Sequence, residues 1–235
     1  MQYQTSQNYS PIITASAETR VTFLYKVYQH LALAIGFFIA FEAILFALGV
    51  PDLILDFLTR NSSFAWLAIL GAFMLVSTIS SKAAYNFSNP TAQYAGLFGI
   101  SAAYALMFAP LLASVFNAEN GSGTVMSAAI ITLVGFSGLS LVAYSTRKDL
   151  SFLRPIVTWG VLVAVGAIFA SVIFSFQLGQ IFSVVMVALM GASILYNTQK
   201  IYKEYPEQAY VGAAVNLFAS LMTMFWYVLR IFSDR

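Results

Sequence analysis

The sequence predicts an all-α membrane protein with seven transmembrane helices, and three observations predict it. Hydrophobic residues make up 60% of the 235-residue chain and charged residues 9%, against roughly 25% charged in soluble domains. Such a chain cannot cover a globular surface with polar groups. Seven apolar runs are long enough to span about 30 Å of hydrocarbon as helices. The basic residues outside those runs sort mostly to one side, as membrane topology requires.

Residues 1–20, MQYQTSQNYSPIITASAETR, are rich in Ser, Thr and Gln. They lack the basic lead and short apolar core of a cleavable signal, so they read as a disordered cytoplasmic tail. Residues 21–235 form the bundle, with the first apolar run as an uncleaved anchor. The runs are 27–49, 64–80, 94–116, 124–146, 153–176, 178–199 and 209–232. Pro110 inside the third is expected to kink the helix or end it early. Almost nothing separates the fifth and sixth, which predicts a tight hairpin around Gln177. Between the first two runs, VPDLILDFLTRN sets Asp52, Asp56 and Arg60 four residues apart among Leu, Ile and Phe. That spacing predicts an amphipathic helix on the outer surface, acting as a connector.

Seven spans with a cytoplasmic N-terminus put Arg20, Lys26, Lys82, Arg147, Lys148, Arg154, Lys200 and Lys203 inside. Arg60, Arg230 and Arg235 then lie outside. The eight-to-three split argues for N-in and C-out. The net charge of +2 and scattered basic residues do not suit nucleic acid. Zero cysteines and one histidine remove disulfides and thiol chemistry and leave little for a metal. We expect no metal or cofactor.

Few residues inside the spans carry chemistry. GFSGLS in the fourth span resembles the nucleophile motif of rhomboid intramembrane proteases. Ser137 needs a base in hydrogen-bond reach, and the single histidine, His30, lies near the cytoplasmic end of the first span. Small residues in membrane helices serve close packing, and an intramembrane hydrolase is excluded. His30 reads as an interfacial residue. Glu42, in IAFEAILF, is either a proton or ion site or an interfacial carboxylate near the helix end. In the seventh span Gly212, Asn216, Ser220, Thr223 and Tyr227 recur every three or four residues and form one polar stripe. A stripe of that kind faces protein or water rather than lipid, which places the seventh helix centrally.

TRKDLSFL (146–153), ILYNTQKI (194–201) and AAVNLFASLMTMFWYVLRIF (213–232) resemble, in order and spacing, the transmembrane Bax inhibitor motif family. VYQHLALAIGFFIAF in the first span and NPTAQYAGLFGISAAYALMFAPLL around the third fit the same pattern. The resemblance implies six helices surrounding a central seventh. Calcium-leak members carry two aspartates, after the tyrosine of a Y-D-T sequence in the sixth helix and in an L-Y-x-D sequence in the seventh. Two close carboxylates share a proton, so pH sets the state of the pore. Here those positions hold Asn197 and Ser220, which neither titrate near neutral pH nor offer charge to Ca²⁺. The serine, with TRKDLSFL, is similar to the bacterial branch that modulates the membrane-anchored AAA protease of the FtsH type. The resemblance therefore implies a non-enzymatic binding protein of the bacterial inner membrane, tied to protease and stress regulation. The alternative is a pH-sensitive calcium or cation leak lined by Glu42 and the stripe. The expected partners are the lipid bilayer and an AAA protease, with Ca²⁺ or another cation under the alternative.

Overall fold

The computed structural model describes residues 10–61, 64–146 and 148–233. Among them are eight α-helices: α1 Ala17–Ala47, α2 Val50–Arg60, α3 Phe64–Ala84, α4 Pro90–Phe116, α5 Gly121–Ser145, α6 Leu153–Ile173, α7 Gln180–Glu204 and α8 Tyr210–Ser233. All except α2 are long and apolar enough to cross a membrane. The chain is an all-α, multi-pass membrane protein.

Helix α2 is the predicted amphipathic connector. Gly49, at φ 69°, turns the chain out of α1, and Pro51 occupies the first turn, where its missing N–H costs nothing. At the other end Arg60 Nε donates to Asp56 Oδ1 at 2.6 Å.

The N-terminal boundary requires correction. Helix α1 begins at Ala17 rather than 27, capped by Ser16, whose hydroxyl accepts the Thr19 N–H at 3.2 Å. Glu18 in the first turn suits the positive end of the helix dipole. Glu18, Arg20 and Lys26 mask this stretch from a hydropathy reading. Thirty-one residues reach about 46 Å at 1.5 Å each, so the first turns of α1 project past the hydrocarbon. Of the expected tail, residues 1–9 lie outside the described residues. Residues 10–20, however, belong to the packed fold. Ile12 is 2% exposed, and its N–H donates to the Tyr205 carbonyl at 2.7 Å. A lone Pro-Ile-Ile has no periodicity, and its partner lies almost two hundred residues away, so local pattern gives no sign of the docking.

Pro110 does not end its helix, since α4 continues to Phe116. Proline leaves the carbonyl four residues back, that of Leu106, without its helical donor, which membrane helices tolerate. One turn on, the Ser114 hydroxyl donates to the Pro110 carbonyl at 3.1 Å. The expected hairpin lies between α6 and α7. Ser175 turns there at φ 55°, and the Phe176 N–H donates to the Ser171 carbonyl at 3.1 Å.

Helix α8 is the most buried of the spans and packs against α1, α3, α4, α5 and α7. Helix α6 rests chiefly on α7 and has Ala164 as its one buried residue. Ile12, Tyr85, Lys148 and Tyr205 gather at one end of the bundle through hydrogen bonds to neighbouring elements, while Leu178 and Arg230 meet at the other. That is the alternation seven crossings demand. Arg147 and Arg235 of the charge split lie outside the described residues.

Ile12 gives the first prediction. Ile12→Asp places a carboxylate in the buried position beside the Tyr205 carbonyl and should cost about 2–4 kcal/mol. The melting temperature in detergent should fall by several degrees, whereas deletion of residues 1–9 should leave it unchanged.

Candidate functional site

Helix α7 approaches α8 in the chain region where the polar residues of both interrupt an apolar background. Asn197 Nδ2 lies 3.1 Å from Ser193 Oγ and 3.3 Å from Ser220 Oγ, and the two serine oxygens are 3.0 Å apart. The Ser220 hydroxyl donates to the Asn216 carbonyl at 3.1 Å. A serine has one proton and two lone pairs. Because Ser220 spends its proton on Asn216, Ser193 must donate to Ser220. Asn197 then uses its two N–H groups on the two serines. Every donor in this joint is used, and the Ser220 lone pairs are filled. The structure thus brings Asn197 and Ser220 together, on a joint that needs an amide donor. Ser193 completes it. In the sequence a single serine in MGASILYN carries no signal of that role.

The rest of the stripe on α8 runs to either side. Toward the Tyr205 end, Asn216 Nδ2 donates to the hydroxyls of Tyr85 and Tyr205, each at 2.8 Å, and those hydroxyls are 2.8 Å apart. Burial, and next the neighbouring Tyr205, push the Tyr85 phenol far above its ordinary range. It stays neutral and keeps its proton for the cluster. Gly212 lets the Tyr85 ring lie against α8, since a methyl there would come within 2.6 Å of the ring. In the other direction, Thr223 Oγ1 lies 3.0 Å from the Tyr104 hydroxyl. Tyr227 packs edge-on to Phe182, with ring centroids 5.8 Å apart.

Ser220, Thr223 and Tyr227 line a cavity of about 830 Å³ bounded by α3, α4, α6, α7 and α8. Its one charged lining residue among those described is Arg230, whose Nη2 donates to the Leu178 carbonyl at 2.8 Å. That bond ties α8 to the α6–α7 turn. Gly212 and Asn216 fall outside the cavity, so the stripe is divided between a tyrosine cluster, a neutral joint and a cavity wall.

The two signature segments around Thr146 and Tyr196 meet through Gln199. Its Oε1 accepts the Leu150 N–H at 2.7 Å and its Nε2 donates to the Lys148 carbonyl at 2.8 Å. Within that loop Asp149 accepts the Ser151 N–H and hydroxyl, which hold its carboxyl below the usual range.

The remaining sequence candidates fall elsewhere. His30 is pinned on both nitrogens, Nδ1 at 2.7 Å from the Lys26 carbonyl and Nε2 at 3.0 Å from the Tyr94 hydroxyl. Ser137 is exposed on the outer face of α5, whereas Gly135 of the same motif faces the Met224 side chain, the close packing expected of small residues. Glu42 is buried at 6% exposure and lines a second cavity, away from the stripe's polar members.

The family model described as "Inhibitor of apoptosis-promoting Bax1" matches residues 20–235. An uncharacterized protein of Pseudomonas aeruginosa is 35% identical over 124 residues, covering 52% of this chain and 55% of that protein. One from Campylobacter jejuni is 32% identical over 146 residues, covering 59% and 62%. The matched stretch therefore spans less than two thirds of either bacterial relative. Protein LIFEGUARD 4 of Arabidopsis thaliana is 27% identical over 232 residues, 94% of this chain and 88% of its own length.

The joint and the loop each give a prediction. Asn197→Asp replaces two donors by acceptors, and only a serine hydroxyl that gives up its present acceptor can turn to meet them. At neutral pH it should cost about 1–3 kcal/mol, seen as a lower melting temperature, with a smaller loss in acid, where a protonated carboxyl regains a donor. Gln199→Leu removes both bonds to the loop. Hydrogen exchange at Leu150 should rise by about tenfold or more, with the α8 core unaffected.

Proposed function

The chain belongs to the family of inhibitors of apoptosis-promoting Bax1, and we propose that it acts there by binding, without catalysis or ion conduction. Its partner is a membrane-anchored AAA protease of the FtsH type, in a bacterial inner membrane with the N-terminus in the cytoplasm. The observation that carries this reading is the neutral joint of Asn197, Ser193 and Ser220. At the place where a pH-gated leak needs two carboxylates, this chain has hydrogen-bond donors already spent on one another. The joint holds α7 to α8 without a titrating group, which suits a rigid bundle engaged as a whole. Arg230 works in the same direction, because a cation entering the neighbouring cavity would meet its positive charge. The charge split between the two sides supports the orientation. The resemblance of TRKDLSFL and of the serine at position 220 to the protease-modulating branch supports the choice of partner.

A cation leak is the second reading. It is favoured by one observation, the cavity of about 830 Å³ walled by Ser193, Ser220, Thr223 and Tyr227.

Two measurements on the full chain separate these readings. In nanodiscs the chain should co-purify with a detergent-stable FtsH-type protease in fixed ratio and slow its degradation of a membrane substrate. In liposomes it should pass Ca²⁺ no faster than protein-free vesicles between pH 6 and 8. Calcium flux that changes steeply across that range, with no protease binding, would replace the first reading by the second.

A further inference from the structure

Arg230 lies in the last turn of α8 and stands at one end of the cavity of about 830 Å³. Its Nη2 donates to the carbonyl of Leu178, which lines the same cavity, so the guanidinium itself is at that end. A guanidinium carries five N–H donors in a planar fork, and the bond to Leu178 is its one side-chain bond among the described residues. The side chain is partly exposed, and Gln177 of the α6–α7 turn adds an amide to the same end. No aspartate or glutamate among the described residues lines the cavity. The ion pair among them is Arg60 with Asp56, so the charge of Arg230 meets no described carboxylate.

From that end Tyr227, Thr223 and Ser220 line the cavity in turn along α8, a length of about 15 Å at 1.5 Å per residue. Ser220 bonds Ser193, and Thr223 bonds Tyr104, so these inner hydroxyls need nothing from a guest. Met74 of α3 and Val161 of α6 also line the cavity and are 41% and 39% exposed. Helices α3 and α6 meet at few points, and the wall between them therefore opens sideways toward lipid. We propose that the cavity is a binding site for a single-tailed anionic amphiphile, whose carboxylate or phosphate pairs with Arg230 and whose tail lies along α8.

Charge selects the head. The arginine fork matches a carboxylate or phosphate through two parallel bonds. A cationic head meets a like charge, and an alcohol brings none. Shape selects the tail. The volume lies within the 300–1,000 Å³ of ordinary small-molecule sites, room for one acyl chain rather than the pair of a phospholipid. A small soluble anion would leave the apolar length of the cavity empty. The direction also fits, since Arg230 is near the end of α8, where an amphiphile keeps its head, and the cavity continues inward from there.

The test uses the full chain in phosphatidylcholine nanodiscs with radiolabelled dodecanoic acid in mildly alkaline buffer, taking empty discs as background. The wild type should show one saturable site. Unlabelled dodecanoate or dodecyl phosphate should displace the label, the stronger of the two identifying the head, whereas dodecanol and dodecylamine should not. Arg230→Gln should weaken binding by tenfold or more. Ile168→Trp, on the lightly packed α6, fills the cavity and leaves Arg230 in place. It should abolish binding, and it decides the matter if Arg230→Gln does not fold. Undiminished binding in a folded Arg230→Gln or Ile168→Trp variant would overturn the proposal. So would displacement by dodecanol or dodecylamine as strong as that by dodecanoate.

Discussion

Hydrocarbon offers no hydrogen bonds, so each polar group carried into it must find its partner within the protein. The polar stripe on α8 is where this chain meets that demand, and much of the bundle is arranged around the solution. Asn216 reaches Tyr85 beyond α3 and Tyr205 at the end of α7. Ser220 reaches Ser193 and Asn197 on α7. Thr223 meets Tyr104 on α4, and Arg230 holds the backbone of the α6–α7 turn. Successive stripe members thus tie α8 to different neighbours. Apolar packing alone distinguishes poorly between helix faces in lipid, because tails and side chains are alike. The polar partners supply the register that packing does not.

This division explains how much could be read from the sequence. Seven spans were legible, because about 20 apolar residues per crossing is a length constraint that any bilayer imposes. The stripe was legible because its spacing of three and four residues is a property of one helix. The start of α1 was not, since Glu18, Arg20 and Lys26 interrupt a helix that continues beyond the lipid. Nor was the docking of Ile12 on Tyr205, or the grip of Gln199 on the loop at Lys148 and Leu150. Those contacts join residues about fifty to two hundred positions apart, and no local pattern encodes which residue meets which. Asn197 and Ser220 could be paired by resemblance, yet the third member of their joint, Ser193, had no signal beyond being small and polar.

The donor accounting at that joint also separates two kinds of polar interior. A carboxylate pair has excess charge that must be shared, neutralised or compensated by an ion, which makes it responsive to pH. An amide with two hydroxyls can close its own hydrogen bonds with no charge left over. The second arrangement is stiffer and indifferent to pH, because no member changes protonation in the accessible range. In this chain the α7–α8 contact is of the second kind.

Among the described residues, Arg230 and Glu42 are charged side chains on cavity linings, and they are treated in opposite ways. Arg230 is in the last turn of α8, where a cation suits the helix dipole, and it donates to a backbone carbonyl. Its charge is used to hold a turn. Glu42 sits in the body of α1 with both oxygens unpartnered. An arginine can be satisfied by backbone acceptors, which every turn exposes. A carboxylate needs donors, and backbone N–H groups inside a helix are already committed. A buried glutamate on a helix wall must therefore draw a donor from a side chain or a bound molecule, or keep its own proton. In this chain no described side chain bonds either oxygen, so the cost of its burial falls on the carboxyl itself.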